Sequence, residues 1–217
     1  MKKITFLLIA AIATIFCACD MQSNRKTKQK LSELEKYKLA YKEASNSAIT
    51  LDTIFLGLRF GMTQKEVDNH LRKMQDNRKL KTDGFGRYQY IFFLNDNTTL
   101  TSSLSAEFFN DKLYKFMLNI DGYYVGNTLI SFDSQYLSNK AKSLFVAKYK
   151  IDKDNFVGYY YTLEGLGMYS CFINKNLLVE FTPLGSMSYI NIPVEVQKEA
   201  YDKKGGQQKR KESISDL

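Results

Sequence analysis

Leu100-Thr101-Ser102-Ser103-Leu104-Ser105-Ala106-Glu107-Phe108-Phe109, then Asn110-Asp111-Lys112, then Leu113-Tyr114-Lys115-Phe116-Met117-Leu118-Asn119-Ile120, is the stretch that decides the fold. Two runs with strand-forming side chains flank an Asn-Asp pair, which supplies tight-turn chemistry, so the stretch predicts an antiparallel hairpin. Residues 87–94 form a third run of the same kind. Asn95-Asp96-Asn97 joins it to the hairpin and extends the pattern into a meander. Residues 121–130, carrying Gly122 and Gly126, read as a longer connection. Asp133 or Ser134 then caps a helix whose stripe is Leu137, Ala141, Leu144, Phe145 and Tyr149. Four more strand-like runs follow at 156–163, 168–173, 177–182 and 187–192. Pro193 suits the first turn of a last helix over 194–203, and Gly205-Gly206 ends it. The polar tail beyond reads as disordered.

The two halves match when placed side by side. Tyr88-Gln89-Tyr90 corresponds to Tyr159-Tyr160-Tyr161, Ala106-Glu107-Phe108 to Val179-Glu180-Phe181, and Leu118-Asn119-Ile120 to Ile190-Asn191-Ile192. The period is about 72 residues, long enough for one supersecondary unit per repeat. Each half is a helix followed by an antiparallel meander whose alternating faces demand a cover. The expectation is an α+β fold of two tandem α-β-β-β units with antiparallel sheets and helices on one face. Residues 53–130 form the first unit and 131–204 the second, with a disordered tail over 205–217. The sheets are either continuous or facing.

Ahead of the first meander, residues 54–58 read as a short extended segment. Phe60-Gly61-Met62-Thr63-Gln64-Lys65-Glu66-Val67 follows. Thr63 as N-cap and Glu66 three residues on make a capping box, with Met62 and Val67 spaced as a hydrophobic staple. This run is similar to the G-M-T-x-x-E-V helix start of SmpA/OmlA-type outer-membrane lipoproteins. It also resembles the repeated helix-plus-sheet units of β-lactamase-inhibitor-like proteins. The match spans about sixteen residues, and the second half lacks the motif at 132–137. The resemblance implies a small, non-catalytic envelope lipoprotein that acts by binding another protein.

The N-terminus points the same way. Met1-Lys2-Lys3 precedes an apolar run over 4–16 that ends in Cys17-Ala18-Cys19-Asp20. A charged start, a short apolar stretch and a small residue beside a cysteine have the layout of an export signal. The run falls short of the roughly twenty residues that a spanning helix needs. It resembles a bacterial lipoprotein signal, with residues 1–18 removed and Cys19 acylated. Phe16, three before the cysteine, departs from the usual branched aliphatic. Residues 19–52 are then a lipid-anchored linker with a possible helix over 31–44. The expected location is the cell envelope, with the body in the periplasm and the outer membrane as host.

Charge and chemistry bound the rest. The chain carries a formal net charge of +8. Part of it sits in residues 25–43, seven basic against three acidic, where a basic segment can lie against anionic headgroups. No nucleic-acid recognition motif accompanies it. After cleavage Cys19 and Cys171 remain, and Cys171 reads as a small buried hydrophobe. His70 is the single histidine, and no G-x-S-x-G surrounds any serine. Asp152-Lys153-Asp154 fails as a calcium loop, because Phe156 stands at its fifth position and no glycine at its sixth. No catalytic, cofactor or metal site is expected. What remains is aromatic: 15 Tyr, 15 Phe and no Trp. Tyrosine joins large area to a polar tip and favours binding surfaces. Tyr123 and Tyr124 in the Gly-flanked connection, with Tyr159 and Tyr161 on one strand face, are the candidate contacts for an envelope protein. An enzyme acting on a glycan, or a carrier of a small apolar ligand between sheet and helices, are the alternatives. An apolar cavity without convergent carboxylates would favour the carrier.

Overall fold

The computed structural model describes residues 31–149 and 155–215. The expected signal segment and Cys19 lie outside the described residues. Helix α1 (Glu33–Ser45) leads through a 3-10 turn (Phe55–Gly57) to α2 (Gln64–Asp76). Strands β1 (Lys81–Thr82), β2 (Tyr88–Asn95), β3 (Thr98–Phe109), β4 (Lys112–Val125) and β5 (Thr128–Ser131) follow. After α3 (Ser134–Lys148) come β6 (Val157–Leu163), β7 (Gly167–Asn174), β8 (Leu177–Phe181), β9 (Ser186–Asn191) and α4 (Ile192–Ser215).

Among the described residues all nine strands belong to one open antiparallel sheet, in the order β1-β2-β3-β4-β9-β8-β7-β6, with β5 on β4. Strand β4 is long enough to serve two neighbours on one edge. Lys115 to Asn119 pair with Ile190 to Ser186 of β9, while Tyr123 to Val125 pair with β5. The meander expected over 87–120 is present, and the two meanders meet at the β4–β9 seam.

The helix start reads as its sequence predicts. Thr63 Oγ1 accepts from the Glu66 amide at 3.3 Å, and Glu66 Oε2 accepts from the Thr63 amide at 2.8 Å. Gly61 (φ +83°) lets the backbone turn toward the sheet. There its N–H donates to Leu113 O at 2.9 Å, and Leu113 N–H donates to Met62 O at 2.7 Å. Asp133 caps α3 by accepting from the Tyr136 amide. Within residues 54–58 only Ile54 and Leu58 are extended; Phe55–Gly57 between them form the 3-10 turn, with Leu56 at φ +61°. The His70 ring holds that turn, Nε2 lying 2.9 Å from Leu56 O.

Both faces of the sheet are covered, which corrects the expectation of helices on one face. Helices α2 and α3 pack on a first face through Val67, Leu71, Leu137, Ala141 and Phe145, against Phe116, Leu118, Phe172, Val179 and Tyr189. Helix α1 covers a second face through Tyr37, Ala40, Tyr41 and Ala44, against Cys171, Ile173, Leu178 and Ile190. Helix α4 packs beside α1 and on β4 and β9. The cause is in β7–β9, whose strands are apolar on both sides rather than alternating, so each side needs a partner. Asn176, fully buried in the β7–β8 turn, accepts from Leu51 N–H, donates to Leu51 O at 3.1 Å, and accepts from Ile192 N–H at 2.9 Å.

Three further readings are corrected. Tyr88-Gln89-Tyr90 lies in β2, third from the seam, and Tyr159-Tyr160-Tyr161 in β6, fourth from it, so these segments are not equivalent in the sheet. Tyr123 and Tyr124 are not in a loop but in β4, opposite Leu100 and Thr99. Gly122 serves close approach there: a Cβ on it would meet the Tyr124 ring at 2.8 Å and Leu129 at 3.1 Å. Helix α4 runs through Gly205-Gly206 to Ser215 instead of ending near residue 203.

Phe145 sits at the crossing of α3 and the sheet, its ring 4.7–5.6 Å from those of Tyr149, Phe156, Phe172 and Phe181. Phe145→Ala is expected to cost about 3–5 kcal/mol, read as a fall in the urea midpoint. An unchanged midpoint would show that this cluster does not hold α3 to the sheet.

Candidate functional site

On the first face the cover is incomplete. Alternation in β2 turns Tyr90 and Phe92 toward the core side, and helical spacing in α3 brings Ala141, Leu144, Phe145 and Lys148 opposite them. Phe55 from the 3-10 turn, Met187 and Tyr189 from β9, and Tyr149 close the floor and walls. The result is a groove of about 290 Å³, near the lower limit of small-molecule pockets. Its rings are set edge-on: Phe55 to Tyr90 at 5.0 Å and 85°, Tyr90 to Phe92 at 4.7 Å and 78°. Phe93, 76% exposed, stands at the mouth. Lys148 is the one charged residue in the lining among the described residues, its Nζ 5.4 Å from the Tyr149 ring. Among the described residues no carboxylate lines the groove. Such a site holds an apolar or aromatic group by dispersion and burial, and can offer an ammonium to an anionic end.

The four tyrosines singled out from sequence are half-buried and fall into two separate pairs, one in β4 and one in β6. Tyr123 packs edge-on against Tyr136 of α3 at 5.6 Å, with Lys140 Nζ over both rings. Tyr159 and Tyr161 lie under α1, 6.0 and 5.1 Å from the Tyr37 ring, and Tyr161 stacks on Tyr169. The groove residues were missed because they come from β2, the 3-10 turn, α3 and β9. The available signal was the pair Tyr90 and Phe92, of equal parity and facing the α3 stripe.

The second face holds a separate polar cluster. Cys171 Sγ lies 3.7 Å from the Tyr161 hydroxyl and 3.8 Å from Glu180 Oε1. Burial pushes the Cys171 thiol far above its ordinary value, with the Glu180 charge adding to it, which leaves no thiolate for chemistry. Burial also raises the Glu180 carboxyl, with Lys115 opposing. Glu107 has the opposite fate: burial works against ionisation, yet the Tyr114 hydroxyl and Lys115, 3.3 Å away, hold it below the usual carboxylate range. Among the described residues no group of three His, Cys, Asp or Glu is placed to hold a metal.

Because the folded chain keeps the Glu180 proton above the ordinary value of 4.5, it binds more protons than the unfolded chain in that window. Stability therefore falls as pH rises from the ordinary value through the folded one. Glu180→Gln is expected to flatten part of that slope in urea midpoints taken across pH, with Glu195 and Asp121 also contributing because burial raises them too. Parallel pH profiles for the two proteins would refute the assignment. Comparison of the chain with family models, with curated proteins and with solved structures finds no match.

Proposed function

We propose that this chain is an exported, lipid-anchored and non-catalytic binding protein of the cell envelope. Its acylated Cys19 holds a periplasmic body at the membrane, the outer membrane being the expected host, and the groove beside α3 receives an apolar or aromatic group with an anionic end. The groove carries the reading: among the described residues it has aromatic walls, one lysine, and no carboxylate to act as acid or base. The body is two tandem α-β-β-β units. In support, Ala106 pairs with Phe116 and Val179 with Tyr189, so a shift of 73 positions carries one pair onto the other.

One observation favours an envelope protein as the natural occupant or as an additional partner. The outer edge of β6 pairs with no strand among the described residues, and Val157-Gly158-Tyr159-Tyr160-Tyr161-Thr162-Leu163 carries neither charge nor proline. Sheet edges usually carry such guards, and an unguarded edge suits strand addition by an extended segment of a partner.

Two measurements test these claims. Anilinonaphthalene sulfonate joins a fused ring to an anion, and its fluorescence should report binding to the purified chain. Phe93→Ser, at an exposed position, and Lys148→Glu are each expected to weaken it by about fivefold to tenfold. Equal titrations for all three proteins would refute the groove. Separately, intact mass and membrane fractionation of Cys19→Ser against wild type test the anchor; masses that differ only by the exchange of sulfur for oxygen, with identical fractionation, would dismiss it.

A further inference from the structure

We infer that the end of the sheet bearing Leu129, Ile130, Phe132, Leu166, Met168 and Leu184 is a lipid-bilayer contact surface, applied to the membrane that holds the anchor. The inference rests on the anchored reading above. Phe132 is 78% exposed, Leu184 79%, Leu166 55% and Ile130 54%, an unusual density of large apolar side chains for a free surface.

These residues come from distant parts of the chain and meet at one end. Leu166 tips the β6–β7 connection, Leu184 the β8–β9 connection, and Leu129 to Phe132 run from β5 to the start of α3. The three segments pack together. A Cβ on Gly167 would meet Pro183 at 3.0 Å and Gln135 at 3.8 Å, and one on Gly185 would meet Ser134 at 3.3 Å. Ile120 N–H donates to Gly185 O, tying the β8–β9 turn to β4 beside β5. Tyr123, Tyr136 and Lys140 border the patch, the amphipathic ring and ammonium composition found at bilayer interfaces. At the opposite end the Asn110-Asp111 and Lys175-Asn176 turns are polar, and Phe85 stands alone at the tip of the β1–β2 turn.

The course of α1 names the occupant. Its last turn lies by Asn174 and Lys175 in the β7–β8 turn, and Tyr37, in its second turn, lies by Tyr161. The helix therefore begins at the apolar end, beside the β6–β7 connection. Residues 20–32 alone separate Cys19 from α1, a reach of at most about 45 Å. An acyl chain on Cys19 keeps this end close to the bilayer, where weak insertion of a few side chains suffices to orient the body. Asp133, Glu164 and Asp96 lie at the same end, so the attraction is apolar rather than electrostatic. It is expected in neutral lipid and to withstand salt.

The chain has no tryptophan, so one introduced indole reports its own surroundings. Leu184→Trp and Phe85→Trp, in the full lipidated chain, are reconstituted in phosphatidylcholine vesicles containing nitroxide-labelled lipid. Quenching of Leu184→Trp is expected to exceed that of Phe85→Trp by about threefold or more, with a blue shift, at low and high salt alike. Equal quenching while the chain floats with the vesicles would overturn the contact surface and leave the anchor standing. A chain that does not float and carries no fatty acid would overturn the anchor. Quenching of Leu184→Trp on added vesicles would then still support the surface, and its absence would overturn it. Shielding of Leu184→Trp from aqueous quencher by envelope protein extract, with no quenching by lipid, would make the patch a protein interface and also overturn the proposal.

Discussion

The pairing of β4 with β9 is the constraint on which the rest of the molecule depends. Five residue pairs, from Lys115 with Ile190 to Asn119 with Ser186, join two meanders that would otherwise each end in a bare edge. The seam also fixes which side chains face which way. Phe116, Leu118, Met187 and Tyr189 are committed to the first face and Ile190 to the second. A slip of one residue would exchange these sets and bury Lys115 and Asn119 beneath α3. Register here is therefore held by the packing of both faces and by the backbone ladder together.

Local chemistry made much of this readable. The Asn110-Asp111 turn, the capping box at Thr63 and Glu66, and the Asp133 cap each depend on residues within a few positions of one another, and each is in place. Long-range facts were not readable. Nothing near Tyr123 reveals that two register shifts bring it opposite Leu100 in a continued β4, so Gly122 and Gly126 suggested a loop. The repeat of Tyr-rich runs suggested that β2 and β6 were counterparts, yet β6 lies at the rim of the sheet while β2 has β1 outside it. The need for a second layer of helices could have been drawn from β7–β9, where Cys171, Ile173, Leu178 and Ile190 make the other face as apolar as the first.

The two faces divide their work. On the first, α3 and the 3-10 turn leave an aromatic groove open beside β2, and the side chains that line it are the same kind that fill the core a few ångströms away. That continuity explains why no motif marks it: a groove of this sort is a place where packing stops short. On the second face, Tyr37, Tyr161, Cys171 and Glu180 form a polar knot beneath α1, close enough to shift one another's protonation. Neighbours of this kind favour one arrangement of the helix over its slid alternatives, because each slide would strand a buried polar group.

Asn176 adds a mechanical consequence. Its side chain clips Leu51 on both the amide and the carbonyl, just after α1 and its short connection, while its own carbonyl holds the start of α4. Tension applied to the chain ahead of residue 31 would unzip α1 from Tyr159 and Tyr161 one turn at a time, at low force. On reaching Leu51 the pull would meet a fully enclosed amide rooted in the β7–β8 turn. Under such a pull α1 would yield first, and the clip at Asn176 would shield the strands behind it.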